Sequence, residues 1–549
     1  MTSIAVKIAP KSAWGAWFSL LLPPILLLPF LDRAFHIDDP LFLWLAKHIH
    51  EDPIHFFDFA VNWHIAPLPM YEITMNPPGV GYFIAAAAWL VGWSEPALHA
   101  VFLVPAALAG LGTYRLAARL CSMPVLAVLA TVLTPAFLVS GASVMSDMPL
   151  LALYVWAVFW WIVGIEEGRW RHLAFAAALI VLGMFVKYAA VTLVPLLAAY
   201  TLLQAPRRWK VLAWFLAPVA AIAAYHFLTL SLFGKSMVFG TVAFASEHTS
   251  EDRVLSFVHR SLVALAFSGG CLASVVCFAP LMWRGWRRWL VFALWPIALG
   301  ALFALGRLDS RLIAPESGVR WGFALQASLM IAAGIHLAVL AMASIRREDF
   351  AHGALLCLWV LGIVVFAGSV NWTVNGRTLL ACAPAAGILV ARAIAAKSNP
   401  PLAPPLPKEG DSGSAGASPS PAWMAGISYR FALPVIASFV VAWSVASGDA
   451  SLANSHRDAA HELDAKFRDP KPAVRFQGHW GFQWYMEAAG FRAYNDKEGL
   501  TPGSVLIVPR NSPSTLETAQ PFLHPRLVLG VRNSPPVRPG QNLDLTSLR

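Results

Sequence analysis

Residues 14–39 read WGAWFSLLLPPILLLPFLDRAFHIDD, an apolar run that ends in two adjacent carboxylates, Asp38 and Asp39. An apolar run of about 18 residues is long enough to cross a bilayer as a helix. It lacks a small-residue cleavage site before the acidic pair, so we expect a retained helix and not a signal peptide. Two lysines precede the run, which predicts a cytoplasmic N-terminus and an acidic pair on the outer face.

The composition is that of a membrane protein. The chain has 549 residues, of which 58% are hydrophobic and only 13% are charged, and its mean hydropathy is +0.61. A soluble domain carries about 25% charged residues. The net charge of +10 comes from short basic clusters between apolar runs, as cytoplasmic loops require, and does not indicate nucleic-acid binding. The sequence therefore predicts a polytopic α-helical protein of the cytoplasmic (inner) membrane, surrounded by membrane lipids.

The apolar runs, oriented by their flanking Lys and Arg residues, predict about thirteen transmembrane helices and an outer C-terminus. The run 79–93 is about 15 residues long, which is short for a span, so we expect it to lie in the interface. This choice sets the sidedness of every later segment.

Changes in composition divide the chain into four parts. Residues 1–397 form the main transmembrane domain, and residues 398–425 are a linker rich in Pro, Gly and Ser, expected to be disordered and cytoplasmic. Residues 426–447 contain the last transmembrane helix. Residues 448–549 are more charged and predict a small extracytoplasmic α/β domain, with strands at 473–476 and 504–509 and a helix at 481–490.

Charged residues collect at the predicted outer ends of the helices. Besides Asp38 and Asp39, these are Asp147, Lys187 and Arg377. Charges at the edge of a bilayer are costly and usually serve a functional site. Carboxylates beside cations suit a reaction in which an acceptor hydroxyl loses a proton while an anionic group departs. Glycosyl transfer from a lipid phosphate is such a reaction.

Each of these residues also has a structural interpretation. Asp38 and Asp39 could cap a surface helix, and Asp147 could cap the helix that begins beside it. Lys187 could extend toward interfacial water, and Arg377 could anchor a helix end.

The order of these motifs resembles the GT-C superfamily of glycosyltransferases. More narrowly, it is similar to glycosyltransferase family 39, which includes protein O-mannosyltransferases and the bacterial aminoarabinose lipid A transferase. The matching stretches are IDDPLFLWLAKHI (37–49), NPPGVGYFIAAAAWL (76–90), SDMPLLALYVW (146–156), GMFVKYAAVTLVP (183–195) and NGRTLLACAPAAGILVAR (375–392).

The resemblance implies a catalytic domain at 1–397 that uses a polyprenyl-phosphate sugar donor on the outer face, with inversion at the anomeric carbon. Asp38 would be the catalytic general base and Asp39 its supporting acidic residue. Asp147 matches the family's second acidic position. Lys187 and Arg377 match basic positions near the donor phosphate.

The chain also departs from the family. In the lipid A transferases a Lys precedes the Pro pair, whereas Asn76 does here, which weighs against aminoarabinose transfer to lipid A. Asn76 and Glu72 are expected to shape the acceptor side. The carboxylates would suit a divalent cation such as Mg²⁺ or Mn²⁺, but we assign no metal ligands and no cofactor.

Two other functions fit a polytopic protein. A transporter or flippase of lipid-linked substrates would favour midplane charges and inverted repeats; we find no repeat, and the charges gather at one face. A non-catalytic assembly factor would use the C-terminal domain to bind a partner. The sequence does not reveal the sugar, or whether the acceptor is a glycan, a lipid or a protein.

Overall fold

The computed structural model describes most of the transmembrane part and much of the C-terminal part. The described residues are 13–63, 66–74, 76–247, 253–283, 320–371, 373–398, 429–467, 474–500, 504–509, 525–531 and 543–548. The predicted linker at 398–425 lies outside them apart from its first residue.

Seven helices in the described residues are long and apolar enough to cross a membrane. A bent pair of shorter helices, Pro124–Val132 and Pro135–Gly141, would make an eighth span. The predicted count of thirteen spans is therefore not confirmed. The seven spans are Ala13–Phe30, Glu95–Leu120, Asp147–Glu167, Pro206–Phe233, Trp321–Ala343, Arg347–Val370 and Arg430–Lys466.

Shorter helices complete the transmembrane part. The apolar segment 173–203 is broken at Lys187, whose extended backbone separates two helices. Gly79–Val91 is a helix of 13 residues. The other helices outside the seven spans and the bent pair are Trp170–Val186, Tyr188–Thr192, Leu193–Gln204, Met237–Glu247, Arg253–Cys271, Ser274–Cys277, Ala279–Met282, Gly376–Leu380 and Ala383–Ser398.

The long segment between the first span and the Pro pair, residues 31–78, folds into a compact unit that we call the first loop. It contains the helix Asp39–Glu51, the strands Ala60–Val61 and Leu68–Pro69, which pair antiparallel, and the short helix Met70–Ile73. The apolar side of Asp39–Glu51 is buried, and it packs against Gly79–Val91. The packing holds the start of Asp39–Glu51, and hence Asp38, in a fixed position.

The C-terminal part combines helices with one five-stranded mixed sheet. The predicted last span is the apolar first half of a 38-residue helix, Tyr429–Lys466, which continues past the predicted boundary at 447. This helix is about 57 Å long, almost twice the thickness of a hydrocarbon core. The helix Trp480–Ala488 follows the first strand of the sheet. The strand order is Arg492–Ala493, Val474–Phe476, Val505–Pro509, Leu543–Leu548 and Pro525–Val531.

A buried arginine ties the first loop to the long C-terminal helix. The Arg33 side chain is 1% exposed and donates to both Asp39 Oδ2 (3.3 Å) and Asp449 Oδ2 (2.8 Å). It also donates to the carbonyl of Ala142 at 3.0 Å. One guanidinium thus joins three segments that are far apart in the sequence.

Further contacts stabilise the same junction between the first loop and the C-terminal part. Arg457 of the long helix pairs with Glu95, which also accepts a hydrogen bond from the Tyr485 hydroxyl. The same hydroxyl accepts from the backbone N–H of Phe35 at 2.8 Å. A Cβ at Gly481 would overlap the Phe35 carbonyl, so glycine permits this close approach. The C-terminal part is therefore packed directly on the residues that lead to Asp38.

Close packing of two membrane helices can be tested at Gly387. A Cβ there would overlap Thr131 Oγ1 and the Ala127 carbonyl on the facing helix. We expect Gly387→Ala to lower the free energy of unfolding by about 1–3 kcal/mol, because small residues let membrane helices approach closely. Gly362→Ala is the control, since no atom lies within 4 Å of its Cβ position. Denaturant unfolding in detergent measures both; equal losses would contradict this packing.

The buried ion pairs of Arg33 lead to a second prediction. Arg33→Met leaves Asp39 buried without its cation, so we expect the free energy of unfolding to fall by about 3–5 kcal/mol. Arg169→Met is the control: its side chain is 66% exposed, and loss of such a surface pair costs at most about 1 kcal/mol.

The stability lost in Arg33→Met should also depend on pH. Burial raises the pKa of Asp39 to about 6, although Arg33 and two backbone N–H groups lower it. Without Arg33 the pKa of Asp39 rises further. When the pKa of a carboxyl group is higher in the folded than in the unfolded protein, the protonated group stabilises the folded protein at low pH. This stabilisation is lost as the pH rises through the folded-state pKa. Arg33→Met should therefore be more destabilised, relative to wild type, at pH 8 than at pH 5; equal losses would argue against a buried Asp39 charge.

Candidate active site

Asp38 immediately precedes the helix Asp39–Glu51 but does not cap it with its side chain. Its Oδ2 accepts a hydrogen bond from Arg377 Nη2 at 2.8 Å, and the carboxylate is 28% exposed. The capping interpretation of Asp38 is therefore not supported. The side chain points to a cation from a segment more than 300 residues away.

Asp147 and Lys187 form a second ion pair. Asp147 is the first residue of the span Asp147–Glu167, and its side chain is 3% exposed. Lys187 stands at the break between two helices and donates from Nζ to Asp147 Oδ1 at 2.6 Å. Lys187 therefore has a protein partner and does not simply extend toward water.

Arg377 links the two ion pairs. It lies in the short helix Gly376–Leu380, which Asn375 caps by accepting from the Thr378 N–H at 2.9 Å. Burial by itself would lower the pKa of Arg377, but the carboxylates of Asp38 and Asp147 raise it above its ordinary value. The guanidinium therefore stays charged between two carboxylates.

A small cavity of about 10 Å³, room for roughly one water molecule, adjoins these charges. Asp147, Lys187 and Arg377 all line it, and the remaining wall is mainly apolar. The apolar lining residues include Leu150, Leu151, Ile363, Phe366 and Leu380. The cavity thus combines a charged region with hydrocarbon-like walls.

Asp39 faces away from this cavity. Its carboxylate is fully buried and accepts hydrogen bonds from the backbone N–H groups of His36 (2.8 Å) and Val144 (3.0 Å), besides Arg33. Adjacent residues of the acidic pair therefore have different surroundings: Asp38 is accessible, whereas Asp39 fixes the backbone that carries it. This arrangement suits the supporting role expected for Asp39.

The structure does not bring Glu72 and Asn76 into this cluster. Glu72 lies exposed on the short helix Met70–Ile73, and the backbone N–H of Asn76 donates to Thr74 Oγ1 at 3.2 Å. In the described part of the chain, no hydrogen bond or ion pair joins either residue to the four charged side chains. Their role on the acceptor side stays a prediction.

The predicted carboxylates do not converge on one point as metal ligands would. The described ranges contain no group of three or more His, Cys, Asp or Glu side chains that could hold a metal ion. Asp38, Asp39 and Asp147 each face an arginine or a lysine instead.

Sequence reasoning missed Arg33 and the C-terminal residues that hold it. Arg33 stands five residues before Asp38, between an apolar run and the acidic pair, and this position was its only local signal. Asp449 gives no such signal, because it contacts Arg33 across 416 residues of sequence. Both residues act on the site through the backbone that carries Asp38.

Part of the chain matches a known protein family. Residues 75–233, which include Asp147 and Lys187, match a family model described as dolichyl-phosphate-mannose-protein mannosyltransferase. No curated protein sequence matches the chain.

Two solved structures resemble the whole chain at low sequence identity. One is the oligosaccharyltransferase AglB from Archaeoglobus fulgidus, in complex with an inhibitory peptide and a dolichol-phosphate: identity is 13%, the TM-score is 0.52, and the match covers 91% of this chain and 70% of AglB. The other is ArnT from Cupriavidus metallidurans bound to undecaprenyl phosphate, with 13% identity, a TM-score of 0.43 and 98% coverage of each chain.

The family match and the AglB likeness agree with the resemblance found in the sequence. The described residues are mostly helical, with several apolar spans, as the predicted fold class requires. The chain is a multi-pass membrane protein whose fold is similar to that of AglB, and its residues 75–233 match the mannosyltransferase family model.

Proposed function

We propose that this chain transfers a sugar from a polyprenyl-phosphate donor to an acceptor at the outer face of the cytoplasmic membrane. The observation that carries the proposal is the meeting of two carboxylates and two cations, from separate segments, beside one cavity. Asp38 pairs with Arg377 at 2.8 Å, and Asp147 pairs with Lys187 at 2.6 Å. The family model on residues 75–233 names a dolichyl-phosphate sugar, a donor of the same chemical class.

Asp38 is the general base in this proposal. It is the most exposed carboxylate of the cluster, at 28%, whereas Asp147 is 3% and Asp39 is 0% exposed. Arg377 pairs with Oδ2, and in this proposal Oδ1 accepts the proton of an acceptor hydroxyl. The acceptor oxygen then bonds to the anomeric carbon.

Lys187 and Arg377 hold the leaving group. As the anomeric C–O bond to the phosphate breaks, the electron pair stays on the phosphate oxygen, and the two cations stabilise that charge. A single displacement of this kind inverts the anomeric configuration.

The ion pairs also suggest how donor binding prepares the base. A donor phosphate competes with Asp38 for Arg377, because both are anions that bind a guanidinium well. When Arg377 turns to the phosphate, the Asp38 carboxylate is released from its ion pair and can accept a hydrogen bond from the acceptor hydroxyl. Binding of the donor thus activates the base.

The base can be tested with Asp38→Asn. We expect the release of polyprenyl phosphate, measured with a panel of polyprenyl-phosphate sugars (mannose, glucose, galactose and aminoarabinose) and a membrane extract as acceptor, to fall by about 10²–10⁴-fold. Asp58→Asn, an exposed residue of the same loop, is the control and should retain the wild-type rate. Wild-type turnover in Asp38→Asn would exclude this base; a protein that moves the intact lipid without releasing polyprenyl phosphate would be a flippase.

The phosphate site can be tested by removing one ion pair as a unit. The double variant Lys187→Met/Asp147→Asn loses the cation without leaving a buried unpaired carboxylate. We expect it to bind undecaprenyl phosphate roughly 10- to 100-fold more weakly, the cost of losing one charge-assisted hydrogen bond. Native mass spectrometry in detergent measures this affinity, with the exposed Lys235→Met as the control. Unchanged affinity would remove Lys187 from the proposed phosphate site.

A further inference from the structure

A second cavity lies between the first loop and the C-terminal part. Its volume is about 380 Å³, and it is open to solvent. We call it the cleft; its walls come from the helix Asp39–Glu51, the strand Ala60–Val61 and the helix Trp480–Ala488. The residues that line it include Trp44, Lys47, Glu51, Phe59, Asn62 and Glu487. None of these residues lines the cavity beside Asp147.

Hydrogen bonds between the first loop and the C-terminal part fix the shape of the cleft. Gln483 Nε2 donates to the Asn62 carbonyl at 2.9 Å, and Asn62 Nδ2 donates to the Tyr494 carbonyl at 2.8 Å. These hydrogen bonds join the first loop to the C-terminal part beside Asn62, a residue that lines the cleft. Its shape is therefore set by the fold before any ligand arrives.

Aromatic rings form part of the wall. The Trp44 ring lies 5.8 Å from Trp484 and 6.3 Å from Trp63, and the His48 ring lies 4.8 Å from Phe59. Partly exposed aromatic faces give flat apolar surfaces against which C–H groups can pack.

Three exposed charges without an ionic partner surround these rings. Lys47, Glu51 and Glu487 are all exposed, and none of them forms an ion pair in the described part of the chain. The Lys47 ammonium instead lies 4.4 Å from the centre of the Trp484 ring. Glu487 Oε1 accepts from Gln483 Nε2 at 2.8 Å, which orients the carboxylate. The cleft thus offers hydrogen-bond donors and acceptors beside aromatic faces.

This combination selects one class of ligand. A sugar presents hydroxyl groups at its edges and C–H groups on its faces, so it matches carboxylates and an ammonium around aromatic rings. Two carboxylates against one ammonium disfavour a phosphate or another anion. The volume lies within the range of about 300–1,000 Å³ for small-molecule sites.

We propose that the cleft is a saccharide-binding subsite for the part of the acceptor remote from the reacting hydroxyl. Lys47 lies nine residues beyond Asp38 in nearly continuous helix, about 14 Å away along the axis. One rigid helix thus connects the base to the cleft, and an acceptor of several sugar units is long enough to span that distance. The identification of the saccharide as the acceptor rests on the proposed function; binding of a saccharide to the cleft does not.

Binding can be measured without transfer. The full-length Asp38→Asn protein in lipid nanodiscs is titrated with mannotriose, maltotriose, cellotriose and N-acetylchitotriose, and the tryptophan fluorescence is followed. We expect saturable binding of at least one of these oligosaccharides. Adding Glu487→Gln or Lys47→Gln should weaken that binding by about tenfold or more, the cost of one hydrogen bond to a charged group. Glu498→Gln, an exposed residue of the same C-terminal part outside the cleft, should leave it unchanged.

Two results would overturn the proposal: no oligosaccharide of the panel binds, or the cleft variants bind as well as the control. Glu487 and Lys47 are exposed, so their substitution should leave the thermal unfolding midpoint unchanged, and a midpoint measured alongside separates lost binding from lost folding. Failure of transfer with intact oligosaccharide binding would count against the proposed function alone. Intact transfer without oligosaccharide binding would count against the cleft alone.

Discussion

The buried guanidinium of Arg33 is the contact on which the arrangement of the site depends. A charge that is 1% exposed needs compensation from charged or polar partners, and Arg33 finds it in Asp39, Asp449 and the Ala142 carbonyl. Each partner belongs to a different part of the chain. The electrostatic cost of burying one arginine therefore forces the first loop, the region before Asp147 and the long C-terminal helix to meet at one place.

The same constraint separates the two members of the acidic pair. Asp39 compensates Arg33 and is enclosed, so Asp38, the preceding residue, projects to the other side and meets Arg377. The charges beside the cavity are then balanced, two carboxylates against two cations. A balanced cluster at the end of membrane helices costs less than isolated charges, and an incoming phosphate can exchange with a carboxylate without adding an unpaired cation.

The first loop contributes to both regions of interest. Its helix Asp39–Glu51 begins beside the ion pairs and ends beside the cleft, and its apolar face is fixed against Gly79–Val91. The C-terminal part covers the loop from the opposite side through Tyr485 and Gln483. Packing on both sides gives the loop the rigidity that the proposed base requires, and it forms the cleft where the two parts meet.

The sequence by itself determined the helical membrane fold class and the residue types of the candidate site. Apolar run lengths and basic clusters follow from the thickness and polarity of the bilayer, so they can be read locally, and Asp38, Asp147, Lys187 and Arg377 were all recognised at helix ends. Only the tertiary structure decided which carboxylate meets which cation, that Asp39 is enclosed, and that Arg33 and Asp449 support the loop. These pairings depend on contacts between residues that lie as many as 416 positions apart in the sequence. Local periodicity and spacing carry no information about such distant contacts.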